Sequence, residues 1–416
     1  MKRLLLSLGL VIALLAPACA QTGGPTTPGQ GTGGGEPIVL GAIDTISGPN
    51  AQVGTDGVNG ARIAVQQINE RGGILGRQVR LEVRDEQLKP DVTVQALREL
   101  NSQGVRLTFG YTSSADCLAA IPVAAEIGSI VMGSHCAAMP QTTDRYDPHF
   151  VRTAANDAMY QGAQAEFVRQ RFPTIRDWDV FGYDYVTGRD QWAKFQEETR
   201  KALGAFNPGR EVWVSLTETD YRSFITRMLS DLPADSAQNR GLFLAMFGAG
   251  VENLAKQGKP FDFFKKWRVA VVNMAMERLA QTLRADTPDL WNVYDYYYAA
   301  YDTPMNKEFV DAYRRAYNDF PSAWSYQGYI SVWAYKAAIE KAGSTDVNAL
   351  IRAFDSGVTF ESPSGPISIR GEDHQAAARL VAYHITPDAS TPEGWRVTEF
   401  VVLQPDRYMP PVNVRR

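Results

Sequence analysis

From Ile38 onward the chain alternates short apolar runs with longer segments whose apolar residues recur every three or four positions. Residues 38–43 (Ile38-Val39-Leu40-Gly41-Ala42-Ile43) form an apolar strand pattern. A helical pattern follows at 54–70, with Ala61, Ala64, Val65 and Ile68 on one face, and Arg71-Gly72-Gly73 ends it. Residues 79–83, 107–110 and 130–132 read as strands, and 92–100 and 113–127 as helices. Strands separated by helices of this length imply right-handed βαβ crossovers and a parallel sheet.

A second series begins after 150–153. Strands are expected at 178–181, 211–216, 241–246, 269–273 and 291–298, with helices at 158–171, 189–203, 223–232 and 250–257 between them. Helices at 307–317, 325–342 and 347–355 follow, and the end is β-rich at 358–361, 367–369, 380–385 and 397–403. The fold class is α/β, with two open sheets in tandem and a tail that could return to either. Strand C-terminal ends of both sheets would bring their loops to one crevice.

The start of the chain addresses the compartment. Lys2 and Arg3 precede an apolar run at 4–15, and Ala16-Pro17-Ala18-Cys19 supplies small residues for cleavage. This pattern is an export signal, and the run falls short of the about 20 residues a bilayer span needs. The Gly/Thr/Pro-rich stretch 21–36 has no apolar period and reads as a flexible tether. The expected organisation is a signal at 1–18, an anchor and linker at 19–36, and two folded domains in the remainder. The formal charge of −4, less the two cations Lys2 and Arg3, becomes −6. With no basic stripe, nucleic acid is excluded as a partner. His135, His149, His374 and His384 show no metal-ligand spacing, and two cysteines beyond Cys19 cannot build a zinc site, so neither a metal nor a cofactor is expected.

Residues 15–19 resemble a bacterial lipobox, which implies lipidation of Cys19 and a membrane contact through that anchor alone; ordinary cleavage after Ala18 or Ala20 is the other reading. A larger resemblance runs through the folded part. Gly41-Ala42-Ile43-Asp44, Ser47-Gly48-Pro49 and Gly54 are followed by Gly60-Ala61, Ile68-Asn69, Gly72-Gly73-Ile74, Gly76-Arg77 and Asp85. With Gly110, Ser113-Ser114, 134–140, 150–153, Asp184-Tyr185, Tyr326-Gln327-Gly328-Tyr329 and Asp373-His374-Gln375, this ordered set resembles type I periplasmic solute-binding proteins. That family comprises the branched-chain amino acid, amide and aromatic-compound receptors of ABC importers.

The resemblance implies two Rossmann-like lobes joined by a three-segment hinge that closes on a small molecule. The lobes would be 37–153 plus 300–364, and 154–299 plus 365–416, with crossings near 153–157, 296–301 and 365–373. It also implies a permease complex as partner, a periplasmic or cell-surface location and a monomer.

Candidate ligand contacts are Ser47, Tyr111, Ser113, Ser114, Ser134, His135, Ala137, Tyr185, Phe247, Met274 and Glu277, with Trp291 a further candidate liner. Ser113 and Ser114 lie where a helix begins, so hydroxyls and free N–H groups converge there, whether as a cap or for a ligand. Family members that bind amino acids commonly place a hydroxyl where Ala138 falls, and the expected second-lobe carboxylate is missing from 273–276. An unpaired buried ammonium is costly, so an aromatic or amide compound is preferred. A one-place slip that brings Glu277 into the pocket would reverse this. Cys117 and Cys136 follow neighbouring strands and are either bonded, pinning two ligand loops, or free.

An enzyme and a sensor are the rival functions. Ser134-His135 is no dyad by itself, no Gly-x-Ser-x-Gly elbow occurs, and the Gly-rich stretch precedes the first strand, all of which argue against an enzyme. A sensor of the same fold would continue into a membrane span, and the sequence ending at 412–416 favours transport, with hand-over to a separate sensor as the alternative.

Overall fold

The computed structural model describes residues 35–414. The export signal, Cys19 and nearly all of the linker lie outside the described residues. The first lobe begins with β1 (Ile38–Asp44), α1 (Ala51–Glu70), β2 (Val79–Asp85), α2 (Pro90–Ser102), β3 (Leu107–Gly110), α3 (Ser114–Ile127), β4 (Ile130–Gly133) and β5 (Phe150–Arg152). All pairings are parallel, in the order β2-β1-β3-β4-β5. Nearly every residue of β1, β3 and β4 is buried, because helices cover both faces.

The second lobe repeats the plan with α4 (Asp157–Arg171), β6 (Asp177–Tyr183), α5 (Val186–Leu203), β7 (Asn207–Val214), α6 (Arg222–Leu229), α7 (Ser236–Asn239), β8 (Arg240–Ala245), α8 (Ala249–Gly258), β9 (Val269–Val272), α9 (Met276–Leu283) and β10 (Leu290–Tyr294). The chain then returns to the first lobe as α10 (Pro304–Tyr317), α11 (Ala323–Ala342) and α12 (Val347–Asp355). There α11 lies against α1 with almost no side chain between them. A Cβ on Gly60 would stand 1.8 Å from the Ser325 carbonyl oxygen, and one on Gly328 would stand 2.0 Å from that of Gly57. Glycine is required where two backbones approach this closely.

The expected passage into the second lobe at 365 is corrected by strand pairing. A small antiparallel sheet, β11 (Val358–Phe360), β12 (Ile367–Ile369) and β13 (Ala376–Ala377), keeps 367–377 off the larger sheet, and β13 is preceded by an Arg152–Gln375 bridge beside β5. Only β14 (Leu380–Pro387) joins the seven-stranded sheet, antiparallel to β10, and β15 (Trp395–Leu403) pairs antiparallel to β14. The C-terminal tail is therefore an added edge strand on the second lobe. The expected strand 291–298 stops at Tyr294, because Asp295–Tyr301 leaves the sheet to cross between lobes.

Cys117 and Cys136 are bonded, with Cα atoms 6.4 Å apart. The bond joins α3 to the segment after β4, and both residues are fully buried. Closing a loop of this length removes denatured-state entropy worth about 3 kcal/mol. Replacing both cysteines by alanine is expected to lower unfolding free energy by about that amount. Denaturant titration of the variant checks this, and an unchanged midpoint would show that the loops are held without the bond.

Candidate ligand-binding site

Both lobes carry the same strand order, β2-β1-β3-β4-β5 in one and β7-β6-β8-β9-β10 in the parallel part of the other. In each, the first strand of the unit has a neighbour on either side, so its two connecting helices leave on opposite faces. Loops diverge at that point, and open α/β sheets bind ligands there. In the first lobe it lies beyond Asp44 and Gly110, and in the second beyond Tyr183 and Ala245.

The first-lobe side is held by a buried polar network. Thr112 donates its hydroxyl to Asp44 Oδ1 (2.6 Å) and its N–H to Glu86 Oε1 (2.7 Å), while Thr45 N–H donates to Thr112 Oγ1 (3.0 Å). Thr45 and Thr93 hydroxyls also donate to Glu86. Burial, with the neighbouring charges of Asp44 and Asp116, pushes Glu86 up to about 8. The ends of β1, β2 and β3 are thereby fixed to one another, leaving little loop ordering for a ligand to impose.

Ser113 caps α3: its Oγ accepts from Asp116 N–H, and Asp116 Oδ2 accepts from Ser113 N–H. Ser114 Oγ accepts from Ala138 N–H at 3.0 Å, tying the two loops that the disulfide also joins. His135 lies between Asp44, whose Oδ2 is 3.3 Å from Nε2, and Gln327 Oε1, 2.6 Å from Nδ1. Burial disfavours its cation, but Asp44 and the contact with Gln327 outweigh burial and hold His135 above the usual imidazole range. The carbonyl of Ala137 accepts from Arg152 Nη1 (3.0 Å) and from Asp157 N–H (2.8 Å). Sequence reading missed Arg152, which is fully buried and pushed down to about 10 by that burial.

In the second lobe Phe247 is 49% exposed and forms edge contacts with Tyr183 (5.3 Å) and Tyr185 (6.3 Å). Gly250 accommodates this cluster, since a Cβ there would lie 2.4 Å from the Tyr183 hydroxyl oxygen. Between the lobes, a cavity of about 480 Å³ separates Ala138–Pro140 from Thr187 and the first turns of α5. Asp157 and Gln161 of α4 form part of its wall. Burial, and to a lesser degree Asp190, raise Asp157 against the opposing influence of Arg152. Gln161 is fully buried, and its Oε1 and Nε2 have no hydrogen-bond partner. Neither residue was foreseen, because α4 reads as an ordinary helix until its start is seen beside the Ala138 loop.

Several other expected contact residues are engaged within the fold. Tyr111 is fully buried with its hydroxyl 2.6 Å from Thr108 Oγ1, and Ser134 is bonded inside the lobe to Ser331 (2.8 Å). Ser47 is exposed and donates to Asp85. Met274 is buried and its N–H donates to Asn292 Oδ1. Trp291 packs on Phe167 and stacks on His384 near the start of β10, the strand end away from the loops. Glu277 is buried and committed: Oε1 accepts from Ala323 N–H (3.1 Å) and Oε2 from the Tyr383 hydroxyl (2.5 Å). Of the expected set, Ser113, Ser114, His135 and Ala137 are brought together in the first lobe, and Tyr185 with Phe247 in the second.

Residues 37–390 match the family model described as periplasmic binding protein. The chain belongs to that family. Its members are solute-binding proteins and not enzymes, and membership implies export to the periplasm. The Leu/Ile/Val-binding protein BraC3 of Rhizobium johnstonii is 26% identical over 352 residues, covering 80% of this chain and 87% of that protein. An ABC-type branched-chain amino acid transporter structure from Rhodopseudomonas palustris CGA009 superposes with a TM-score of 0.77 at 23% identity, covering 91% of this chain and 100% of that one. A solute-binding protein of an ABC transporter from Rhodopseudomonas palustris BisB5, in complex with 3,4-dihydroxy benzoic acid, gives 0.72 at 22% identity, covering 88% and 97%. Among the described residues no helix is long and apolar enough to cross a membrane, and no group of three or more His, Cys, Asp or Glu residues is placed to hold a metal.

The fold holds Glu86 above 4.5, so its neutral form is the favoured one. Its contribution to stability is full below pH 4.5 and is lost as pH rises through about 8. Glu86→Gln is expected to match wild-type thermal stability near pH 4, to exceed it increasingly as pH rises toward about 8, and to hold a constant advantage above that. Melting curves across this range decide it, and a pH-independent difference would remove Glu86 as the titrating group.

Proposed function

We propose that this periplasmic binding protein captures a small organic solute between its lobes and delivers it to a membrane permease complex, as a monomer held to the membrane through a lipid on Cys19. The favoured ligand is an aromatic or amide compound without an α-ammonium group. The observation that carries this choice is the fate of Glu277, whose two oxygens are taken by the first turn of α11 and by Tyr383. With Ala138 offering only a methyl group, two ammonium partners expected for an amino-acid receptor are missing. The half-exposed Phe247 beside Tyr185 supplies aromatic surface on the opposite lobe.

Asp157 supports a second reading. Its carboxyl lies on the wall of the interlobe cavity, where it could meet the ammonium of an amino acid. Raised by burial, it equally suits donation to a carbonyl or carboxylate oxygen as the neutral acid.

A thermal-shift screen against amino acids, amides and aromatic acids separates these readings. A compound at 100 times its dissociation constant stabilises by about 2.7 kcal/mol. The expected result is a shift with aromatic acids or amides, none with leucine or isoleucine, and aromatic-acid or amide binding that survives in Asp157→Asn. A shift with branched-chain amino acids that Asp157→Asn abolishes would overturn the ligand class and leave the transport role standing.

A further inference from the structure

The second lobe sends one charged side chain deep into the first. Arg278 stands in the first turn of α9, directly after the strand β9, and its side chain is only 7% exposed. Nε donates to Asp56 Oδ2 of α1 at 2.7 Å, Nη1 to Asp319 Oδ2 at 2.5 Å and Nη2 to the Phe320 carbonyl at 3.3 Å. All three acceptors belong to the first lobe.

The receiving side is built mainly from that lobe, with Gln281 Nε2 of α9 also donating to Asp319 Oδ1 (3.3 Å). Gln52 Nε2 donates to Asp56 Oδ1 (2.8 Å), the Ser322 hydroxyl to Asp56 Oδ2 (2.6 Å), and Asp319 Oδ1 accepts from Phe320 N–H (2.7 Å). Asp56 thus keeps hydrogen-bond partners when the lobes part, whereas Arg278 keeps on its own lobe only the contact of Nη1 with Gln281 Oε1. Burial opposes the guanidinium charge, and Asp56 and Asp319 more than restore it. A lone cation facing two fixed carboxylates is an attraction that depends on the distance between the lobes, and low local polarity sharpens that dependence. The adjacent Glu277 engages α11 across the same seam, so two consecutive residues of α9 dock on the first lobe.

We infer that Arg278 is a closure-setting residue, a plug whose seating in the Asp56–Asp319 socket shifts the protein toward its closed form before any solute arrives. This rests on the two-lobed fold and not on the ligand class, so the outcome of a compound screen does not bear on it. Closed-state population in the empty protein sets the fraction competent to hold a solute, and with it apparent affinity.

The test is an interlobe distance distribution from paired spin labels in the unliganded chain. Labels at Leu88→Cys and Leu216→Cys, both exposed and one on each lobe, are introduced in a Cys19→Ser background, the remaining cysteines being bonded. Arg278→Ala is expected to move the distribution to longer distances. Asp319→Asn, which alters a partner that is 37% exposed and keeps the second lobe intact, is expected to move it part of the way. If Arg278→Ala fails to fold, Asp319→Asn alone decides. Wild-type distributions in the variants that fold would overturn the inference and leave Arg278 a static packing contact.

Discussion

Three segments of chain pass between the lobes, and hydrogen bonds among buried side chains bind them into one unit. Asp295, on the second crossing, accepts from Ala155 N–H on the first and from the Tyr160 hydroxyl and Gln327 Nε2. Gln375, just before the third crossing, donates to the Ala154 carbonyl and accepts from Asn156 Nδ2. Arg152 N–H donates to the His374 carbonyl. Without these bonds the crossings would be independent linkers, and the lobes would sample many orientations. With them, relative motion is confined to few torsions, which is what a hinge requires.

The same bonds connect the hinge to the binding loops. Gln327 spans Asp295 on one side and His135 on the other, and His135 leads to Asp44, Thr112 and Glu86. Burial pushes Asp295 up to about 6. Buried polar networks of this kind are costly when half satisfied and rigid when complete. Here the cost is met by loops that stand ready before a ligand enters. Satisfaction is incomplete at several atoms, among them His135 Nε2, Arg152 Nε and both amide atoms of Gln161 on the cavity wall.

The legible and illegible parts of the site differ in a physical way. Ser113 and Ser114 were readable because a helix cap has a local signature, and Tyr185 and Phe247 because they follow apolar strands. Tyr111 and Ser134 follow strands too, yet the chain turns them inward; Tyr111 does so at a φ of 65°, a left-handed conformation that propensity does not announce. Glu277 was ambiguous by one position in sequence, and the partner that decided it, the N-terminus of α11, lies 46 residues away. Asp157, Gln161 and Arg278 carry no local signal at all, since each acquires meaning only from the segment packed against it.

The sequence by itself determined the α/β class, the tandem arrangement of two sheets and the family, because apolar periodicity, glycine stops and ordered short motifs are properties of neighbouring residues. Strand order within each lobe came from the structure. The tertiary structure alone decided that residues 367–377 stay with the first lobe, that the tail becomes an edge strand, and that Glu277 and Arg278 face the opposite lobe. Those outcomes depend on contacts between segments tens to hundreds of residues apart, whose energies arise only when burial and hydrogen bonding across the fold are settled together.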